Sequence, residues 1–220
     1  MATRVEAARL LTLKAARLLQ AESRCALGAD ISIDKRVPWA AGLGGGSSDA
    51  ASTLLVLNRL WGLHWPRERL LPLAQRLGAD VPFFIGGQNA FVEGIGEQLT
   101  ALAVPQQWLA VVKPAAGLAT QDIFSHPALV RDTPAAILSG FLADAPIDPE
   151  SGSTQAALID VNKMAWGRND LQAAAQEQCP EVAQAAQWLH ERFGNSRMTG
   201  SGSAVFARAG AGEQPMAMSS

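Results

Sequence analysis

Two stretches of this sequence combine residue types that can do chemistry. The first, "PWAAGLGGGSSDAAS", starts at Pro38 and sets Gly44, Gly45 and Gly46 directly before Ser47, Ser48 and Asp49. Glycine gives up more backbone freedom on folding than any other residue, so a run of it at a helix start calls for a reason. Gly44, Gly45, Gly46 and Ser47 can turn successive N–H groups inward as an anion-binding nest. A helix beginning at the serines adds its positive end and its unpaired N–H groups, which together make a phosphate cradle. Bare glycines let phosphate oxygens approach where a β-carbon would collide, and Ser47 or Ser48 can reach a phosphate or a magnesium ion. The plainer alternative is a flexible turn with a serine N-cap. Asp49 suits the helix dipole under either reading.

The second stretch is "LGADVPFF", Leu77 to Phe84. A carboxylate at the end of one helix and the start of an apolar run can be partly desolvated. There Asp80 can accept a proton from a substrate hydroxyl. The plainer alternative is a solvated aspartate that caps the next element. The glycine loop is not a Walker A motif, because no lysine follows Gly46. It is not a clean dinucleotide fingerprint either, because Ser47 stands at the third glycine position.

The elements that must hold these residues alternate in type. Leucines at 10, 11, 13, 18 and 19, interspersed with Lys14 and Arg17, predict an amphipathic helix over residues 10–20. In "GADISIDKRVP", Ile31 and Ile33 alternate with Ser32 and Asp34, which predicts a short strand ending near Pro38. A helix is expected from Ser47 to Leu60, stopped by Gly62. Another runs from Pro66 toward Gly78, with Pro72 set to delay or kink it. "VPFFIGG", "NAFVEGIGEQL" and "WLAVVKP" read as strands with turns. The segment "ADAPIDPESGST" reads as an exposed loop, Pro180 to Phe193 as a helix, and "MTGSGSAVFA" as a glycine-rich turn entering a strand. A change of character at Val104 to Gln107 divides the chain into residues 1–105 and 106–220. The class is mixed α and β.

Composition narrows the function. Hydrophobic residues make up 48% of the 220 and charged ones 17%, enough for a core and too apolar for a disordered chain. A net charge of -2 and the lack of a long basic run give nucleic acid no electrostatic hold. Cys25 and Cys179 lack CxxC partners, and His64, His126 and His190 are scattered. Neither a disulfide framework nor a metal site is therefore expected, and a cytoplasmic setting is. No apolar run reaches the ~20 residues of a membrane span, and the charged start does not resemble a signal peptide.

Taken together, the glycine loop, the helix after it and "GADVPFF" resemble the GHMP family of small-molecule kinases. "LTLKAARLLQ", "ISIDKRVPWAAGLGGGSSDAASTLLVLNRLW", "IFSHPALVRDTP" and "RMTGSGSAVFA" extend the likeness over Leu11 to Ala207. The resemblance implies an α+β, two-lobed fold. The N-terminal lobe would be ribosomal S5 domain 2-like and incomplete, the C-terminal lobe ferredoxin-like and truncated, with a cleft between. It implies ATP and Mg2+, with the phosphates on Pro38, Trp39, Ala40, Ala41, Gly42, Leu43, Gly44, Gly45, Gly46, Ser47 and Ser48. Ser47 or Ser48 would lie near magnesium. Asp80 matches the family's catalytic base, and Phe124 its cytosine-stacking aromatic. Thr199, Gly200, Ser201 and Gly202 match its second glycine-rich motif, which shapes the cleft. The implied substrate is a small molecule, diphosphocytidyl-methylerythritol, phosphorylated on its 2-hydroxyl in non-mevalonate isoprenoid synthesis.

The sequence also departs from the family. The Pro-Ala-Lys-x-Asn motif is absent, there is no tyrosine for the Asp-Gly-Tyr-His motif, and the C-terminal residues do not match. The chain thus reads as a member shortened at both ends, and weak or absent turnover is expected of it. The other readings are a GHMP kinase of the homoserine or mevalonate type and a non-catalytic nucleotide-binding remnant.

Overall fold

The computed structural model describes residues 11–134, 157–158 and 167–211. The "ADAPIDPESGST" segment lies outside the described residues, as does Leu10. Two compact units form, one from Met1–Arg36 with Gly44–Ala101 and the other from Val37–Leu43 with Leu102–Ser220. The chain thus passes from one unit to the other and back within the glycine loop.

The first unit holds four helices among the described residues. They are α1 (Leu11–Ser23), α2 (Gly45–Leu60), α3 (Arg67–Leu77) and α4 (Val81–Gly86). Apolar residues at helical spacing bring Ala15 and Leu19 of α1 against Ala50, Leu54 and Leu57 of α2, with Leu70, Val81 and Ile85 completing the core. Leu19, Leu54, Leu70 and Ile85 are fully buried, worth about 1.5–3 kcal/mol each. The α2–α3 connection is tied by Asn58. Its Nδ2 donates to the Trp65 carbonyl at 2.9 Å, and its Oδ1 accepts from the Trp65 N–H at 2.9 Å. Pro66 precedes α3, and Pro72 is accommodated inside it on the exposed side. Strand β1 (Ala90–Glu93) pairs antiparallel with β2 (Gln98–Ala103), Ala90 opposite Ala101 and Glu93 opposite Gln98.

In the second unit, β3 (Gln107–Val112), β5 (Arg197–Met198) and β6 (Val205–Ala211) form an antiparallel sheet in the order β3-β6-β5. Leu102 and Ala103 of β2 pair in parallel with Ala157 and Leu158 of β4 (Ala157–Leu158). Three helices complete the described part: α5 (Thr120–Ser125), α6 (Gln172–Gln178) and α7 (Pro180–Phe193). Ile123, Ala174, Ala175, Val182, Leu189, Met198 and Val205 make a core separate from that of the first unit.

Two expectations are corrected. "VPFFIG" is the helix α4, not a strand. Pro82 occupies a first-turn position, where its missing N–H costs nothing, and Gly87 ends the helix at φ 71°. The "ISID" segment is not a strand either: residues 25–36 carry no regular structure. Ile31 and Ile33 stay 39% and 37% exposed, and the segment has no partner strand among the described residues. Alternation makes a strand only where a neighbour accepts its backbone hydrogen bonds.

Candidate functional site

The glycine loop is shaped by positive backbone angles at alternate residues: Ala40 at φ 49°, Gly42 at 69° and Gly44 at 65°. α2 then starts at Gly45, earlier than the expected Ser47, with no side-chain cap. The Ser48 N–H donates the first helical bond to the Gly44 carbonyl at 2.9 Å. The N–H groups of Gly45, Gly46 and Ser47 precede that bond and have no partner among the described residues. They are the open donors that an α-helix leaves at its start, joined to the positive end of its dipole. A serine N-cap would have consumed one of them, so the structure disfavours the plain capped-turn reading.

Gly44 fits its place for two reasons. Its left-handed backbone favours glycine, and a β-carbon there would lie 2.9 Å from the Phe84 ring. Phe84 belongs to α4 and stacks edge-on with Phe83 at 5.2 Å between centroids. Asp80 immediately precedes α4, exposed and making no side-chain cap bond. It stands one helical turn from Phe84, a rise of about 6 Å. The expectation of a partly desolvated carboxylate is therefore corrected to an exposed one. The hairpin turn at Gly96 (φ 105°) closes on the neighbouring Ala79, where a β-carbon would meet the carbonyl oxygen at 2.1 Å. α4 and the β1–β2 turn thus frame Asp80 within the first unit, next to the loop that starts α2.

Within the second unit, the residues from Val37 to Leu43 meet the other glycine-rich motif. Thr199 Oγ1 donates to the Gly42 carbonyl at 2.9 Å. The Ser203 and Ala204 N–H groups donate to the Ala40 and Ala41 carbonyls at 3.0 and 3.1 Å. Gly42 sits so close that an added β-carbon would fall 2.0 Å from the Thr199 backbone carbonyl oxygen. Thr120 and Ser201 share a hydroxyl hydrogen bond of 2.8 Å. Asn169 Nδ2 donates to the Met198 and Gly200 carbonyls at 2.9 and 2.7 Å, pinning the turn from its other side. Thr199, Gly200, Ser201 and Gly202 therefore gather with Ala40, Ala41 and Gly42, as Gly44 to Ser48 gather with α4.

Phe124 lies on α5 and is 55% exposed, while Ile123 beside it is fully buried. A core role for Phe124 is thus ruled out, and its ring is available to a ligand. Three contributors were not legible in the sequence. Lys35 forms an ion pair with Asp49 across the glycine loop. Phe84 backs Gly44, and Asn169 holds the second turn. Lys35 and Asp49 are opposite charges flanking the loop, but no local spacing rule joins them.

Among the described residues no group of three His, Cys, Asp or Glu side chains can hold a metal ion. Magnesium keeps several waters and rides largely on nucleotide phosphates, so it takes few protein ligands, most often carboxylates. The Ser47 and Ser48 hydroxyls at the start of α2 fit that limited demand.

A glycine-opened helix lies in one unit and a second glycine turn in the other, each unit carrying helices and strands. The chain is a member of the GHMP kinase family: the GHMP kinases N terminal domain matches residues 10–88, and the GHMP kinases C terminal domain residues 151–214. It is 60% identical over 205 residues to 4-diphosphocytidyl-2-C-methyl-D-erythritol kinase of Methylibium petroleiphilum, covering 93% of this chain and 65% of that protein. The protein of that name from Variovorax paradoxus is 52% identical over 209 residues, covering 93% of this chain and 68% of its own. A crystal structure of 4-(cytidine 5'-diphospho)-2C-methyl-D-erythritol kinase superposes with a TM-score of 0.73 at 29% identity, covering 94% of this chain and 71% of that one. The chain spans about two thirds of the length of the curated relatives it matches.

Proposed function

We propose that this chain carries the phosphoryl-transfer machinery of an ATP-dependent kinase for the 2-hydroxyl of 4-diphosphocytidyl-2-C-methyl-D-erythritol. The observation that carries the proposal is the set of open amides at Gly45, Gly46 and Ser47, one packed ring away from the helix that Asp80 begins. Similarity to relatives bearing that kinase name supplies the substrate. The amides and the helix dipole would bind and orient the ATP phosphates. Asp80 would take the proton of the 2-hydroxyl as its oxygen bonds to the γ-phosphorus and the bond to the β-phosphate oxygen breaks. ADP and the phosphate monoester leave. Such a transfer is mostly positioning and charge stabilisation, which suits a site built from backbone donors. Magnesium bound beside Ser47 or Ser48 would offset phosphate charge. Phe124 would stack on the cytosine, and residues 199–202 would shape the substrate side.

The test is ATP-dependent phosphorylation of diphosphocytidyl-methylerythritol by the purified chain, followed by phosphorus NMR, beside homoserine and mevalonate. Phosphate on the cytidine compound alone is expected, at a rate well below the ~1 s⁻¹ that marks the usual low end for kinases. Transfer to homoserine or mevalonate instead would reassign the substrate. ATP binding without any transfer would favour a nucleotide-binding remnant.

A further inference from the structure

Asp49 lies in a place that disfavours the proposed ligand. It begins the second turn of α2, about 6 Å along the axis from the amides at Gly45. A carboxylate there repels a triphosphate and so works against the attraction of the helix dipole. The structure answers that charge with Lys35, whose Nζ meets Asp49 Oδ2. The pair is drawn away from water, with side chains 19% and 34% exposed. The neighbouring Arg36–Asp34 pair, at 3.1 Å, is 88% and 79% exposed. Screening makes the outer pair nearly neutral in effect, whereas the inner one keeps much of its field.

We infer that Lys35 is a positioning residue for the nucleotide: by cancelling the charge of Asp49, it keeps the start of α2 attractive to a triphosphate. The inference rests on the proposed nucleotide reading. A different role fits the same contact, a mechanical staple that closes the segment between Lys35 and Asp49 around the glycine loop. The two roles part in the double variant. Removing both charges breaks a staple but restores the electrostatic balance.

The experiment is calorimetric titration of the full 220-residue chain with ATP, ADP and AMP at low and high salt. The chains compared are wild type, Lys35→Ala, Lys35→Arg, Asp49→Asn and Lys35→Ala/Asp49→Asn. Lys35→Ala is expected to lose about tenfold in ATP affinity at low salt, the effect of one uncancelled charge at such a separation. The loss should shrink from ATP to AMP and with added salt, and Lys35→Arg should retain affinity. Asp49→Asn alone should bind ATP at least as tightly as wild type, a comparison that stands even if Lys35→Ala fails to fold. The double variant should recover to within about threefold of wild type. A double variant as weak as Lys35→Ala, or an Asp49→Asn chain weaker than wild type, overturns the inference while leaving the nucleotide site intact. No saturable ATP binding by the wild-type chain overturns the nucleotide reading, and the role of Lys35 with it.

Discussion

The ring of Phe84 lies where a β-carbon on Gly44 would have to go, 2.9 Å from the ideal position. This contact links the glycine loop to the helix that follows Asp80, and it makes the loop's shape depend on tertiary packing. Gly44→Ala should cost about 2–4 kcal/mol, summing a left-handed backbone penalty with overpacking against the ring. Urea unfolding followed by circular dichroism measures it. A variant as stable as wild type would mean that Phe84 moves aside freely.

Gly46 is the counterpart, because nothing lies within 4 Å of a β-carbon added there. Gly46→Ala should leave the fold intact or stabilise it by up to about 1 kcal/mol, since alanine is the better helix former. ATP affinity should nevertheless fall by about tenfold, as the methyl group occupies the phosphate approach. Unchanged affinity in calorimetry would remove this face of the helix from the binding site.

Asp80 is exposed and makes no capping hydrogen bond, so the fold does not need its charge. Asp80→Asn should keep the urea midpoint within about 0.5 kcal/mol of wild type. Turnover in the phosphorylation assay should drop by about 10²–10⁴, the usual contribution of a general base. Wild-type turnover in that variant would exclude Asp80 as the base.

Thr199→Val removes the donor to the Gly42 carbonyl but keeps the side-chain shape. A loss of about 1–2 kcal/mol is expected, with faster amide hydrogen exchange at Ser203 and Ala204, whose N–H groups bond to Ala40 and Ala41. Unaltered exchange at those two amides would show that the loop does not depend on the threonine.

Burial pushes the Cys179 thiol above its ordinary value, and its hydrogen bond to Glu181 at 3.2 Å pushes the same way. The unfolded chain ionises this thiol near the usual value of about 8.5. The native chain therefore holds the proton longer. The stability this provides is complete below about pH 8.5 and is lost as pH rises through the native value. Alkaline unfolding should be less steep in Cys179→Ala than in wild type. Iodoacetamide should modify Cys25 before the buried Cys179. Equal slopes in the two chains would show that the thiol does not contribute to the alkaline limb.

Much of the helical frame was legible because its signals are local. Pro180 opens α7 and Gly194 closes it at φ 70°, so both ends stand in the sequence as read. α2 follows the glycine loop and ends before Gly62 as expected, although it starts at Gly45 rather than Ser47. α4 is not legible in the same way, because a six-residue apolar run carries too little periodicity to separate helix from strand. Its local signals are Pro82 in the first turn and Gly87 after the last. α5 and α6, of 6 and 7 residues, are likewise too short for periodicity to mark them. The strand expected over Ile31 and Ile33 failed because pairing is not a property of the segment itself.

The sequence by itself determined which groups are chemically able: glycines that bare their amides, an aspartate ahead of an apolar run, and a second glycine turn far along the chain. Tertiary structure alone decided which of them meet. Thr199 reaches Gly42, Phe84 backs Gly44, and Lys35 faces Asp49 only because packed cores hold their backbones in place. Local spacing encodes turns and helix faces, whereas contacts between distant residues depend on the burial of side chains elsewhere.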